Sequence, residues 1–393
     1  MKKQILFYRY NSICEPPVMR AFTSLGCHIE EITEEISNKN VTPAECIKII
    51  SNRLYSKSYD AVFSINFYPA ISEVCNIFKV PYVCLSVDCP IMELYSDSIK
   101  NPFNRIFLFD YAQYQEFYPK NPDCIFYLPL AADVAQYDSI INTINPVADR
   151  RFISDISFIG SLYSEKCSYN KAANLPDYLR GYLEGIMNAQ LRIYGYNLLT
   201  DVVTNELALE YGRYGQLYHF PEKSEHNYKA ALAHNVLGYK IAELERKKLL
   251  GILSDRFSVD LYTASDTSQL PNIHNKGTVA SLTEMPKIFH LSKINLNFTI
   301  KPIQTGLPLR IWDIMGCGGF VLTNYQEEIA EYFEIGKEIE IFGSETELLE
   351  KCEYYLSHDD ERAQIAQNGY NKVKEFHTWI HRCDKMLSIV PNA

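Results

Sequence analysis

Residues 60–88 read DAVFSINFYPAISEVCNIFKVPYVCLSVD, and the order of patterns within them decides the fold. DAVFSIN (60–66) and YVCLSVD (82–88) are short apolar runs rich in β-formers, whereas Ile71–Phe78 spaces its apolar residues as a helix does. No hairpin turn joins the two strands. A helix must carry the chain across, so the strands run parallel and both faces of their sheet are covered. QILFYRY (4–10), RIFLFD (105–110) and CIFYLPL (124–130) extend the series, with another helical segment at Pro43–Tyr55. Residues 1–132 are read as one Rossmann-like domain.

The stretch 133–151 is polar, contains Asn145-Pro146 and lacks an apolar period, which marks a linker. SDISFIGSLY (154–163) restarts the alternation with a buried strand that ends on Gly160-Ser161. A mainly helical region follows from Asp177 to Leu253, interrupted by the strand-like LRIYGY (191–196). FSVDLYT (257–263), KINLNFT (293–299), GFVLTN (319–324) and EIEIFG (338–343) then resume the pattern. Residues 152–375 form a second α/β domain with a helical insertion. Ser344 and Glu347 have capping-box spacing for a following helix, and the last segment, 376–393, is a helix expected to pack back toward the N-terminal domain.

The 393 residues suffice for two cores. With 38 basic against 48 acidic residues the net charge is −10, which argues against a broad surface for nucleic acid or anionic lipid. Eleven cysteines lie at irregular spacing without a C-x-x-C pair, which suits reduced thiols and a cytoplasmic location. The N-terminus MKKQILFYRYNS has too short an apolar stretch for a secretory signal, and no run approaches the roughly 18 apolar residues of a membrane span. His377, His381 and Cys383 cluster without a further ligand at suitable spacing, so no metal site is expected. Neither a phosphate-binding G-x-x-x-x-G-K-[ST] loop nor a G-x-G-x-x-G fingerprint is present, which disfavours an ATPase or a dehydrogenase.

TGLPLRIWDIMGCGGFVLTNY (305–325) carries the chemistry. Pro308 suits a first helical turn, so a helix starts beside Gly306 and Leu307, and its free N–H groups and dipole make a seat for phosphate. Arg310 and Asp313, three apart, share a face. The guanidinium can pair with a diphosphate, and the carboxylate can accept both hydroxyls of a ribose. The bland alternative is an ion pair on an exposed helix closed by a Gly-rich cap. Gly160-Ser161 could offer backbone N–H groups to the same diphosphate. Lys301 is either a second phosphate cation or a solvated loop lysine. Asp88, at the carboxyl end of its strand, is a candidate base for an acceptor hydroxyl or the cap of the turn at Cys89-Pro90.

The run from His290 to Leu356, which contains SKINLNFTIKPIQTGLPLRIWDIMGCGGFVLTNYQEEIAEYFEIGKEIEIFGSETELLEKCEYYL, resembles the CgeB-like spore-maturation glycosyltransferases of the GT-B group. FSINFYPAISEVCNIFKVPYVCLSVDCP (63–90) and FDYAQYQEFYP (109–119) are similar to their N-terminal domain. The resemblance implies an α/β GT-B architecture of two Rossmann-like parallel-sheet domains facing across a cleft. It implies donor binding in the second domain and acceptor binding in the first, with Arg310 and Asp313 on the donor diphosphate and ribose. Thr305 departs from the pattern, because many retaining GT-B enzymes carry a glutamate there; neither retention nor inversion is assigned.

The reading is a metal-independent glycosyltransferase, hexosyl or related. It takes a nucleotide diphosphate sugar, UDP-sugar first among them, as co-substrate with no other cofactor, and a glycan, protein or small-molecule hydroxyl as acceptor. No Asp-x-Asp metal-nucleotide signature is present. The rivals are a catalytically silent nucleotide-sugar or glycan-binding partner subunit and an epimerase of the same fold.

Overall fold

The computed structural model describes residues 3–390. Residues 1–2 and 391–393, the outer ends of the segments 1–132 and 376–393, lie outside the described residues. Contacts divide the chain into two units. The first comprises Met1–Ala131, Phe220–His226 and His377–Ala393; the second comprises Ala132–His219 and Asn227–Phe376.

The first unit is built on β1 (Gln4–Tyr8), β2 (His28–Ile32), β3 (Ala61–Ile65), β4 (Tyr82–Leu85), β5 (Asn104–Leu108) and β6 (Ile125–Tyr127), in the order β2-β1-β3-β4-β5-β6. All are paired in parallel. Every residue of β3 and β4 is buried, which is why their sequences are continuous apolar runs. Helix Pro69–Phe78 makes the crossover between them, with proline at its start. The other two segments complete the unit. Asp97 N–H donates to the Lys223 carbonyl, and Lys120 pairs with Glu225 at 2.6 Å. Helix Trp379–Ile389 packs on helix Glu15–Ser24, while buried Arg382 donates to the carbonyls of Pro129 and Leu130.

The second unit holds β7 (Ser154–Ile159), β8 (Val259–Tyr262), β9 (His274–Asn275), β10 (Ser292–Asn297), β11 (Val321–Asn324) and β12 (Glu340–Phe342), again all parallel, in the order β12-β11-β10-β7-β8-β9. The helices between β7 and β8 have a core of their own, including Leu179, Leu183, Met187, Leu199, Tyr211 and Leu237. Residues 134–141 of the polar stretch after β6 fold as a helix that buries Val134 and Ile140. LRIYGY, expected as a strand, forms none. Gln190, fully buried, donates to the carbonyls of Ile193 and Tyr196 and accepts from Leu198 N–H, so this backbone wraps an amide instead of pairing with a strand. Among the described residues no helix is long and apolar enough to cross a membrane.

Two glycines test the packing in opposite directions. A Cβ on Gly319, just before β11, would lie 2.5 Å from the Phe289 carbonyl oxygen, whereas one on Gly185, in helix Asp177–Gln190, would meet nothing within 4 Å. Gly319→Ala is expected to destabilise by about 1–3 kcal/mol through overpacking. Gly185→Ala should stabilise by about 0.5–1 kcal/mol through helix propensity. Urea unfolding midpoints read both, and equal shifts would refute this account.

Candidate functional site

In each sheet the winding reverses once: between β1 and β3 in the first unit, and between β7 and β10 in the second. At such a reversal the connections leave in opposite directions and open a crevice at the carboxyl ends, where ligands of open α/β sheets bind.

The crevice of the second unit is lined by a guanidinium. Arg246, on helix Tyr239–Ser254, donates to the Ser161 carbonyl after β7 and to the Phe298 carbonyl after β10, so it spans the two ends. Its Nε is buried and has no hydrogen-bond partner. Among the described residues no carboxylate pairs with it within 4.0 Å; it lies instead over the rings of Phe158 and Tyr163. Burial lowers its pKa, and the positive charge of Arg310 adds to that effect. Two guanidiniums that repel one another, one with an orphaned donor, are an arrangement that an anion would relieve, although the charges of Glu245 and Glu165 already act in that sense.

Of the expected donor residues, Gly160 and Ser161 adjoin this cation, and Arg310 is near enough for its charge to act on it. Gly160 holds the sheet through its N–H to the Tyr262 carbonyl, and a Cβ there would lie 3.5 Å from the Arg246 guanidinium. Ser161 donates to Glu165 at 2.6 Å. Ser265 donates to the same carboxylate and accepts from Leu162 N–H, which staples the loop after β7 to the loop after β8. Although burial works to raise the Glu165 pKa, the hydrogen bonds of Ser161 and Ser265 prevail and hold it low. Lys301 is not a solvated loop lysine: it is buried and pairs with Glu245 at 3.0 Å.

The helix expected at Pro308 runs Leu309–Gly316, with Pro308 as an extended N-cap. Ile311 N–H bonds the Pro308 carbonyl, and the N–H groups of Leu309 and Arg310 before it lack intrahelical acceptors. Thr305 donates to Glu328 at 2.7 Å, and the Gln326 amide donates to the carbonyls of Ile303 and Gly306, so the loop after β11 fastens the approach to the helix. Leu307 is buried. Arg310 stacks 5.2 Å over Phe289 and lies 3.6 Å from Asp313. Asp313 is no exposed partner, being 3% exposed and accepting from Tyr137 at 2.6 Å. Burial raises its carboxyl pKa against the pull of Arg310. A buried acceptor held above its ordinary range gains from any further donor that reaches it.

Asp88 belongs to the first unit and is exposed after β4, where it accepts from Asn66 at 2.7 Å. His377 accepts from Arg382 and His381 contacts the Thr378 hydroxyl, so both imidazoles serve their local helix start. Arg246, Glu245, Glu328 and Tyr137 escaped the reading of the sequence. The first two had a signal: in AELERKKLL, positions 245 and 246 fall on the stripe of Ile241, Ala242, Leu249, Leu250 and Leu253, where a charge must find a reason to be inside.

Residues 241–388 match the family described as glycosyl transferase-like, a stretch that includes Arg246, Lys301, Arg310 and Asp313. No curated protein matches the chain. Among solved structures, HepE from Anabaena in complex with UDP superposes with a TM-score of 0.53 at 13% identity, covering 99% of this chain and 100% of that one. A glycosyltransferase from Rickettsia africae gives 0.53 at 11% identity, with 100% of both chains covered. Sucrose-phosphate synthase from Thermosynechococcus elongatus gives 0.53 at 10%, covering 99% and 98%. At these identities the likeness is one of fold, and the fold is GT-B.

Asp313 gives a pH test with a definite sign. An acid whose folded pKa exceeds its unfolded value binds more protons when folded between the two values, so its contribution to stability falls as pH rises through that window. Asp313→Asn removes the titration and keeps an acceptor for Tyr137. Relative to wild type, the variant should gain stability from about pH 4, near the ordinary aspartate value, to about pH 7. Urea midpoints at the two pH values check it, and a difference that does not move with pH would contradict the burial effect.

Proposed function

We propose that the chain is a glycosyltransferase that moves a hexosyl or related sugar from a nucleotide diphosphate donor, a UDP-sugar, to a hydroxyl of a glycan, protein or small acceptor. The observation that carries this reading is Arg246, a cation with no paired carboxylate among the described residues, bridging the reversal point of a Rossmann-like sheet. Arg310, the helix start after Gly306 and Leu307, and buried Asp313 lie within the stretch that matches a glycosyl transferase-like family. HepE, of the same fold, was solved with UDP. The CgeB-like resemblance agrees with this and remains part of the proposal.

The residues take these roles. Arg246 and Arg310 bind the diphosphate, with Gly160 keeping the crevice open and Ser161 anchoring Arg246 through its carbonyl. Asp313 accepts from the ribose. Thr305, tied to Glu328, sets the loop beside the sugar, and Lys301, paired with Glu245, fixes that loop from below. In the transfer the acceptor oxygen bonds to the anomeric carbon as the bond from that carbon to the diphosphate breaks. The leaving UDP takes the electron pair, and Asp88 takes the acceptor proton. Charge grows on the diphosphate in the transition state, where fixed cations and a helix terminus stabilise it without a metal. Residues 152–375 are the donor domain and residues 1–132 the acceptor domain. Eleven cysteines, all but Cys27 buried and none paired in a disulfide among the described residues, support a cytoplasmic setting.

A thermal-shift panel tests the donor reading. UDP, GDP, dTDP, CDP and ADP, with their common sugars, are added to wild type, Arg246→Ala and Arg310→Ala. A ligand at about 100 times its Kd stabilises by roughly 2.7 kcal/mol. UDP and its sugars should raise the wild-type Tm, and Arg246→Ala should abolish the shift while its Tm without ligand shows that it folds. Release of UDP from a UDP-sugar, insensitive to EDTA, should accompany binding. Stabilisation without turnover would assign a binding subunit instead, and a folded wild type that answers to no nucleotide ends the proposal.

A further inference from the structure

The crevice of the first unit, between β1 and β3, has a chemistry opposite to that of the second. Its centre is Asn66, directly after β3, which holds a left-handed backbone at φ 60°. Asparagine tolerates this conformation better than other residues with a side chain, and its local hydrogen bonds help to hold it there. Here all four bonding positions of the amide are used. Oδ1 accepts from the N–H groups of Val87 and Asp88, at 2.9 and 3.4 Å. Nδ2 donates to the Asp88 carboxylate at 2.7 Å and to the Tyr10 hydroxyl at 3.1 Å. One side chain thus ties together the carboxyl ends of β1, β3 and β4. The second Asp88 oxygen has no protein hydrogen-bond partner among the described residues, and the residue is exposed. Tyr68, with its ring 6.0 Å from that of Tyr10, supplies a partly buried aromatic surface beside them.

This crevice is closed to anions. The helix after β1, Glu15–Ser24, begins Glu-Pro-Pro, and the two prolines have no N–H to offer. Glu15 N–H is bonded to the Ser12 carbonyl and Val18 N–H to that of Cys14. The seat an anion would use is taken by the helix's own carboxylate: Glu15, fully buried, accepts from Tyr10 N–H and Arg9. Arg9 is in turn shared with Glu31, Lys39 donates to the Tyr10 carbonyl, and Glu35 accepts from Tyr8. Glu15, Glu31, Glu35 and Asp88 outnumber Arg9 and Lys39.

We infer that this crevice takes an uncharged carbohydrate, its hydroxyls received by Asp88 and Tyr10 and its apolar face by Tyr68, with Asn66 as the positioning residue that aims Asp88. That the carbohydrate is the acceptor rests on the glycosyltransferase reading; its binding does not. The substrate class thereby narrows to neutral glycans, and sugar phosphates, uronates and sialylated chains are refused.

The experiment is a glycan array bearing neutral, uronate, sialylated and phosphorylated glycans at equal density. It is probed with wild type, Asn66→Gly and Asp88→Asn, with the UDP thermal shift read on the same preparations. Glycine adopts φ 60° without strain, so Asn66→Gly removes the amide and keeps the backbone. Wild type should retain neutral glycans only, and Asn66→Gly should lose roughly tenfold or more in affinity with its UDP shift unchanged. Asp88→Asn should still bind neutral glycans, because its amide oxygen accepts as the carboxylate does, while turnover falls and its pH dependence changes. Preference for acidic glycans, or an Asn66→Gly variant that binds as wild type does, overturns the inference. So does a wild type that answers to UDP but to no glycan. Loss of the UDP response alone marks failure of the donor reading, and glycan retention then still decides this one.

Discussion

A parallel sheet cannot be wound from its middle outward without reversing direction, and both sheets of this protein are wound that way. The reversal leaves adjacent strand ends whose connections depart to opposite sides, with no helix or loop lying across them. The backbone groups and side chains at that point need partners, and what supplies them determines what else can bind. In the second unit the partner is a guanidinium, and in the first it is an amide. The remaining polar architecture of each unit follows from that difference. The charge of a second arginine, Arg310 on a helix start and beside a buried acid, reaches Arg246; around Asn66 there are carboxylates, phenols and a helix start already occupied by Glu15.

The two crevices show how one architecture is divided between chemistries. Burial of Arg246 disfavours its charged form, and the charges of Glu245 and Glu165 offset that only in part, the Glu245 carboxylate being paired with Lys301. The same holds for Asp313, whose burial disfavours its charged form. Such costs at a site, set against satisfied hydrogen bonds elsewhere, are the usual mark of residues kept for binding rather than stability. By contrast, Glu243 with Lys240 and Lys247 is a fully compensated group, its pKa lowered to about 2 as their hydrogen bonds overcome burial, and it asks for no ligand.

The fold was legible where burial speaks through composition. Strands covered on both faces must be apolar throughout, so DAVFSIN, YVCLSVD, SDISFIG and KINLNFT announced themselves, and glycines marked the end of helix Leu309–Gly316. LRIYGY misled because it has the composition of a strand while its carbonyls are taken by Gln190, five residues before Gly195. Of the candidate site, the residues contiguous in sequence were the ones that could be nominated from it: Thr305, Gly306, Leu307, Arg310 and Asp313 come from one loop and helix. What joins distant segments was not. Glu328 reaches Thr305 across 23 positions and Tyr137 reaches Asp313 across 176, and no local pattern encodes either. Asn66 was hidden differently, since nothing in SINFYP tells that its asparagine turns left-handed.

The first unit is assembled from three stretches, the last of which, from His377, contributes the helix on Glu15–Ser24 and the Arg382 bonds to Pro129 and Leu130. During synthesis the chain is delivered from its N-terminus at about 5–20 residues per second. The six strands of the first sheet leave the ribosome early, yet one face of the helix at Glu15 stays uncovered until helix Trp379–Ile389 emerges. The second unit, whose two stretches end at Phe376, is complete before then. The order of maturation is therefore the reverse of the order of translation: the part of the protein made first is the part finished last, and in the interval it depends on not meeting another chain.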